Sequence, residues 1–333
     1  MATRDLLSKK RIMSNRKDIK DFIKTWLLVF AMSAGCIGYF LLDGLVHEPA
    51  SRQLIVDVVT GILPYLLFAM LFLEFSKINP TDLFPKRWII YSFIYQFVGA
   101  LVMIAILLWA ELPAWTEGLW GGTLTCLLVP TATAVAVMSS KLGGNAASAT
   151  TYTVLASLFT AVAIPLLFPL VAVGNAELSF WILFTKIFAK IFPVIIVPLV
   201  ISLLMRKFMP EWHEKIARFA KDRSYYLWAF CIIINMAQIM RIICQGLLDG
   251  WTTLLYCLFA GLLCVTNFMV GKKIGDTSDD RISGGQSLGQ KNTILAIWIA
   301  MTYLNPTSGI VMGAYMIWQN ICNALQLSYP KLR

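Results

Sequence analysis

The sequence predicts an all-α polytopic membrane protein, with ten transmembrane helices in two inverted five-helix repeats and two broken helices that cross. Three observations lead there. Hydrophobic residues make up 58% of the chain and charged ones 14%, where a soluble domain carries roughly a quarter charged residues. Lys and Arg collect on one side of the apolar runs. Two polar breaks interrupt apolar sequence at matching places in the two halves. One is Pro130-Thr131-Ala132-Thr133; the other is the glycine-rich tract Gly284-Gly285-Gln286-Ser287-Leu288-Gly289-Gln290-Lys291-Asn292-Thr293.

The elements follow in order. Residues 1–25 are a basic tail. The segment after it has no small-residue cleavage site, so the tail is expected to be cytoplasmic and not a removed signal peptide. A span needs ~20 apolar residues. The first repeat (26–173) supplies runs at 26–45, 54–75, 88–110, 118–141 (broken) and 145–173. The second repeat (179–328) supplies 179–206, 224–245, 251–271, 281–303 (broken) and 306–328. No length remains for a soluble domain.

Charge fixes the expected orientation. With the N-terminus inside, inside segments hold 23 of the 28 Lys and Arg, and outside loops hold only Arg52. Such asymmetry is the positive-inside signal, and it puts both termini in the cytoplasm, in a cytoplasmic (inner) membrane. It also accounts for the net charge of +10 without nucleic acid. Five spans is an odd number, so the second repeat starts on the opposite side from the first. The repeats are therefore inverted, an architecture common among transporters.

The breaks carry the chemistry. Hydrocarbon cannot satisfy loose backbone groups, so a broken helix survives at membrane depth only where it lines a protein-enclosed cavity. Paired breaks in two halves point to a transporter's binding site. Pro130, Gly284, Gly285 and Gly289 are expected to break the helices. Thr131, Thr133, Ser287, Gln290, Lys291, Asn292, Thr293 and Asn320 are candidates to meet a substrate or to bond freed carbonyls. Half-helix N-termini add positive potential at the crossing, and with Lys291 they favour an anionic ligand.

At these breaks the chain resembles the bile acid:sodium symporter superfamily. Pro130-Thr-Ala-Thr-Ala-Val-Ala-Val-Met138, followed by Gly144-Asn145, is similar to that family's fourth span and the start of its fifth. Gly289-Gln-Lys-Asn-Thr293 resembles a ninth-span motif usually of Gly-Met-Gln-Asn-Ser type. Trp318-Gln319-Asn320-Ile321 resembles a Trp-His-Asn-Ile run in the last span. The resemblance implies panel and core domains, each drawn from both repeats, and sodium-coupled carriage of organic anions by alternating access. Gln96 and Thr153 keep the residue types of family sodium ligands. The expected Ser-Asn pair is Val135-Ala136 here. The expected serine one turn before Thr153 is Ala149, with Ser148 adjacent. The expected ninth-span glutamate is Ser287, and a glutamine position is Lys291.

These departures have a physical consequence. Val135 and Ala136 offer no side-chain oxygen, and Ser287 removes a carboxylate. An ammonium repels a nearby cation by about 4 kcal/mol at about 4 Å in a medium of effective dielectric ~20. Two sodium ions beside one carboxylate leave one net positive charge, and so does one protonated lysine alone. The expectation is a secondary transporter of a small organic anion, a carboxylate or bile-acid-like molecule, without sodium and with Lys291 replacing the ion charge. A sodium-coupled symporter, proton coupling through Lys291, and a non-transporting receptor on the same scaffold remain as alternatives. No cofactor is expected, nor any partner besides substrate and membrane lipid. No nucleophile–base pair or metal set suggests an enzyme.

Lys186 and Lys190 lie one helical turn apart, as a snorkelling pair or as an anion-attracting mouth. Arg241 is read either as an interface anchor or as an internal polar contact. The seven cysteines sit in apolar segments and read as small core hydrophobes.

Overall fold

The computed structural model describes residues 27, 29–132, 134–171 and 179–332. The basic tail expected at 1–25 lies outside them. Among the described residues the architecture is all-helical, without a strand. Its one β-type pairing is an isolated antiparallel bridge between Thr131 and Lys291.

The helices fall on the apolar segments. They are α1 (Val29–Leu45), α2 (Pro49–Ser76), α3 (Arg87–Trp109), α4 (Glu117–Leu128), α5 (Val135–Leu142), α6 (Ala146–Leu167), α7 (Phe180–Phe208), α8 (Pro210–Cys244), α9 (Gly250–Asp276), α10 (Arg281–Gly289), α11 (Thr293–Tyr303) and α12 (Ser308–Ser328). Six helices are long and apolar enough to cross a membrane: α2, α3, α6, α7, the Tyr226–Cys244 part of α8, and α9. At 1.5 Å per residue, α4 and α11 reach only about 18 Å each, short of a hydrocarbon core of about 30 Å. α5 and α10 lie on the other side of each break.

Local chemistry sets the ends. Pro49 and Pro210 sit in the first turns of α2 and α8, where a missing N–H costs nothing. The Asn145 side chain caps α6 by accepting from Ala147 N (2.9 Å) and Ser148 N (3.1 Å). The Asp249 carboxylate caps α9 through Thr252 N at 2.9 Å. α5 stops at Gly143, whose φ of +93° is left-handed.

α8 begins well before the expected 224. The basic loop at 206–223 continues as helix into the span, because Glu211-Trp212-His213-Glu214-Lys215-Ile216-Ala217 are helix-compatible and follow a proline at the first turn. The Lys215 ammonium lies 4.9 Å from the Trp212 ring centre.

α2 packs on α7 and α8. A second group joins α3, α4, α9, α10, α11 and α12, and α6 packs against both α7 and that group. Large apolar side chains such as Ile37, Ile62, Ile94, Val162 and Leu262 face outward. Trp109, Trp181 and Trp251 stand exposed at helix ends, as expected at a membrane interface.

The glycines of the second break require a correction. Gly284 and Gly285 are not break residues; both lie inside α10, and Gly289 is its last residue. They serve close packing. A Cβ at Gly284 would lie 2.5 Å from Gly271 O on α9, and one at Gly271 would lie 2.5 Å from Gly284 O. A Cβ at Gly289 would come within 2.4 Å of the Phe268 ring. The break itself is confined to Gln290, Lys291 and Asn292.

Candidate functional site

Each interrupted helix frees carbonyls that no longer find an intrahelical N–H. The two breaks satisfy one another. Asn292 N donates to Pro130 O at 2.9 Å and Ala132 N to Gln290 O at 3.4 Å. The Thr131 hydroxyl donates to the same Gln290 O at 2.9 Å. Thr133 lies outside the described residues.

Side chains from neighbouring helices take up the other acceptors. Gln96 Nε2 on α3 donates to Leu127 O (2.7 Å) and the Thr160 hydroxyl on α6 to Leu128 O (2.7 Å). The Tyr315 hydroxyl on α12 donates to Gly289 O (2.7 Å). The Gln319 side-chain oxygen accepts from Lys291 N at 2.8 Å. Tyr315 and Gln319 lie one turn apart on the same face of α12, so a single helix holds the second break at both Gly289 O and Lys291 N.

Lys291 is 1% exposed. The Cys126 and Cys264 thiols are close enough to interact electrostatically with its ammonium. Among the described residues no carboxylate lies within 4.0 Å of it. Asn267 ties this region together: its amide donates to Cys126 Sγ (3.4 Å) and to the Tyr315 hydroxyl (3.3 Å), and its oxygen accepts from Tyr95 (3.3 Å).

The other expected residues divide into those at the crossing and those away from it. Asn292 caps α11 through Leu295 N (3.2 Å), and its buried amide nitrogen has no partner among the described residues. Thr293 opens α11, its N–H donating to Lys291 O at 2.9 Å. Gln290 donates to Gln286, which donates to Gln326 at 3.1 Å, a buried amide chain along α10 and α12. Ser287 is buried, and among the described residues its hydroxyl has no partner. Asn320 is a further correction. Its amide bonds back to Met316 O in its own helix at 2.7 Å, and its neighbour Gln319 holds the break instead.

The residues carried over as sodium ligands are already bonded. Gln96 Oε1 accepts from the Tyr152 hydroxyl at 2.8 Å. The Thr153 hydroxyl donates to Ala149 O at 2.9 Å. Ser148, the neighbour of Ala149, is turned toward Asp280 at 2.5 Å. Tyr152 is buried and stacks between Trp88 and Phe93 at centroid distances of 5.4 Å each.

Sequence reading missed Gln319, Tyr315, Thr160, Tyr152 and Asn267. Tyr315 and Gln319 carried a signal, a polar pair at helical spacing, with Gln319 inside the Trp318-Gln319-Asn320 run. Cys126 carried none that separates it from a core residue.

The model for the Sodium Bile acid symporter family matches residues 61–245. That stretch holds Gln96, the first break and Thr153, and it ends before the second break. No individually curated protein matches the chain.

Proposed function

Because the chain belongs to the sodium bile acid symporter family, a family of multi-pass membrane transporters, we propose that it is a secondary transporter of an organic anion that works without sodium. On this reading α1 to α6 form one five-span repeat and α7 to α12 its inverted partner, with α4–α5 and α10–α11 as the broken spans. Panel and core domains, each drawn from both repeats, alternate access to the crossing. The Lys and Arg asymmetry supports a cytoplasmic membrane with both termini inside.

One observation carries the reading. Among the described residues Lys291 is buried at the crossing with no carboxylate within 4.0 Å, while several oxygens that would serve sodium already accept a hydrogen bond from protein donors. Gln96 Oε1 receives the Tyr152 hydroxyl, and the Leu127, Leu128 and Gly289 carbonyls receive Gln96, Thr160 and Tyr315. A cation there would share these oxygens with protein donors and sit against an ammonium. An anion gains from both the ammonium and the α11 N-terminus.

The substrate class is a carboxylate or bile-acid-like anion. No cofactor takes part and the protein is not an enzyme. Lys291 is also the group through which a proton would couple. Counterflow tests carriage: proteoliposomes of the full chain, preloaded with unlabelled cholate, should transiently accumulate labelled cholate. Saturable binding without counterflow would make the protein a receptor.

A further inference from the structure

Away from the crossing, a cavity divides around Arg241 near the turn that joins α1 to α2. Arg241, Gln53, Val56 and Thr60 line both arms. One arm, of about 400 Å³, runs between α1, α2 and α8 and has apolar walls that include Leu42, Ile55, Val59 and Ile234. The other, of about 580 Å³, lies between α2, α7, α8 and α11 and is lined by Lys190, Trp298 and Thr302. Both volumes are those of small-molecule sites.

The charges in this cavity are unevenly engaged. Asp43 pairs with Arg52 at 2.5 Å, and Asp57 accepts from Gln53 at 2.8 Å. Among the described residues neither Arg241 nor Lys190 has a carboxylate within 4.0 Å. Among the described residues the buried Arg241 Nε has no hydrogen-bond partner. A guanidinium with unused donors is built for a planar oxyanion, and leaving such a donor buried and unpaired is costly.

We infer that Arg241, with Lys190, forms an anion-recognition station for an amphipathic organic anion, holding its carboxylate between them while the apolar body lies in the α1–α2–α8 arm. This station is separate from Lys291. Trp298 sits seven residues along from Lys291, about 10 Å at helical rise. Trp298, in the lining of the Lys190 arm, lies on α11, the helix that follows the break holding the buried lysine. The inference rests on the organic-anion reading above and deepens it by naming the residues that first hold the charge. A free solute and a lipid headgroup share this chemistry.

The test is equilibrium binding of labelled cholate to the full chain in phosphatidylcholine nanodiscs, with empty discs subtracted. Uncharged methyl cholate and lysophosphatidylglycerol serve as competitors. The wild type should prefer cholate over its ester at least tenfold. Arg241→Gln should reduce that preference at least fivefold, Lys190→Gln should reduce it about twofold, and Arg241→Lys should restore part of it, which separates charge recognition from misfolding. An equal preference in wild type and Arg241→Gln overturns the station and leaves the anion carrier standing. No preference in the wild type overturns the anion reading itself. Arg241-dependent binding of lysophosphatidylglycerol tenfold tighter than cholate would assign the site to a lipid headgroup and remove it from the solute path.

Discussion

The Tyr152 hydroxyl donates to Gln96 Oε1 at 2.8 Å, and so takes one of the two acceptor positions of the side-chain oxygen that the family resemblance assigns to a sodium ion. The other end of the same amide holds Leu127 O at the first break. One glutamine thus links an aromatic stack on α6 to a freed carbonyl on α4. Tyr152→Phe leaves a buried acceptor unpaired and should cost about 1–3 kcal/mol, read as a lowered Tm of the purified protein. Gln96→Ala strands both the Leu127 carbonyl and the Tyr152 hydroxyl and should cost more. The two effects should be non-additive, as for directly bonded groups; additive losses would mean that the bond does not form.

The glycine contrast is a second test. Gly284→Ala places a Cβ against Gly271 O at 2.5 Å and Gly275 Cα at 2.7 Å. Backbone cannot yield as a side-chain tip does, so the substitution should destabilise by about 1–3 kcal/mol. Gly61→Ala on α2 meets nothing within 4 Å and should be neutral or stabilise by up to about 1 kcal/mol. Equal Tm changes for the two would contradict the α9–α10 contact.

Asp280 is a third. Its Oδ2 accepts from the Trp88 indole (3.0 Å) and the Ser148 hydroxyl (2.5 Å) and lies 3.3 Å from the Lys86 ammonium. It stitches α3 and α6 to the start of α10. Asp280→Ala leaves the buried Trp88 indole donor unpaired, while the Ser148 hydroxyl keeps Asn145 O as an acceptor at 3.0 Å, and should cost about 2–3 kcal/mol. Lys86→Gln, at the half-open edge, should cost about 1 kcal/mol or less. A larger loss for Lys86→Gln in thermal unfolding would invert this account.

His213 supplies a pH prediction outside the spans. Burial, and then the neighbouring Arg206 guanidinium, hold its imidazole below the usual histidine value. Its Nε2 is buried without a partner. The folded state therefore binds the proton less readily than the unfolded state does. Stability is full above about pH 6.5, the unfolded histidine range, and falls as pH drops from there toward the folded value. His213→Gln should flatten the Tm-against-pH curve over that window; an unchanged slope would remove His213 as its source.

Helix positions were legible because hydrocarbon leaves a chain no other way to satisfy its backbone, so apolar runs mark helices. The two breaks were legible from Pro130 and from polar residues in apolar surroundings. The extent of the second break was not, because glycine reads alike as a helix breaker and as a close-packing residue; only the 2.5 Å approach to Gly271 separates them. Asn320 and Gln319 are adjacent, and a shift of one position turns a helical side chain by about 100°, so sequence could not choose between them. Tyr152 looked like an ordinary aromatic of an apolar span, since nothing local shows that its hydroxyl reaches α3.

The most direct test of ion replacement is cholate uptake by proteoliposomes holding the full chain, with an inward sodium gradient or with potassium in place of sodium. Uptake should agree within about twofold between the two, and Lys291→Gln should lose at least tenfold while retaining a monodisperse elution profile. Uptake that requires sodium in the wild type would contradict the claim that the Lys291 ammonium supplies the charge at the crossing.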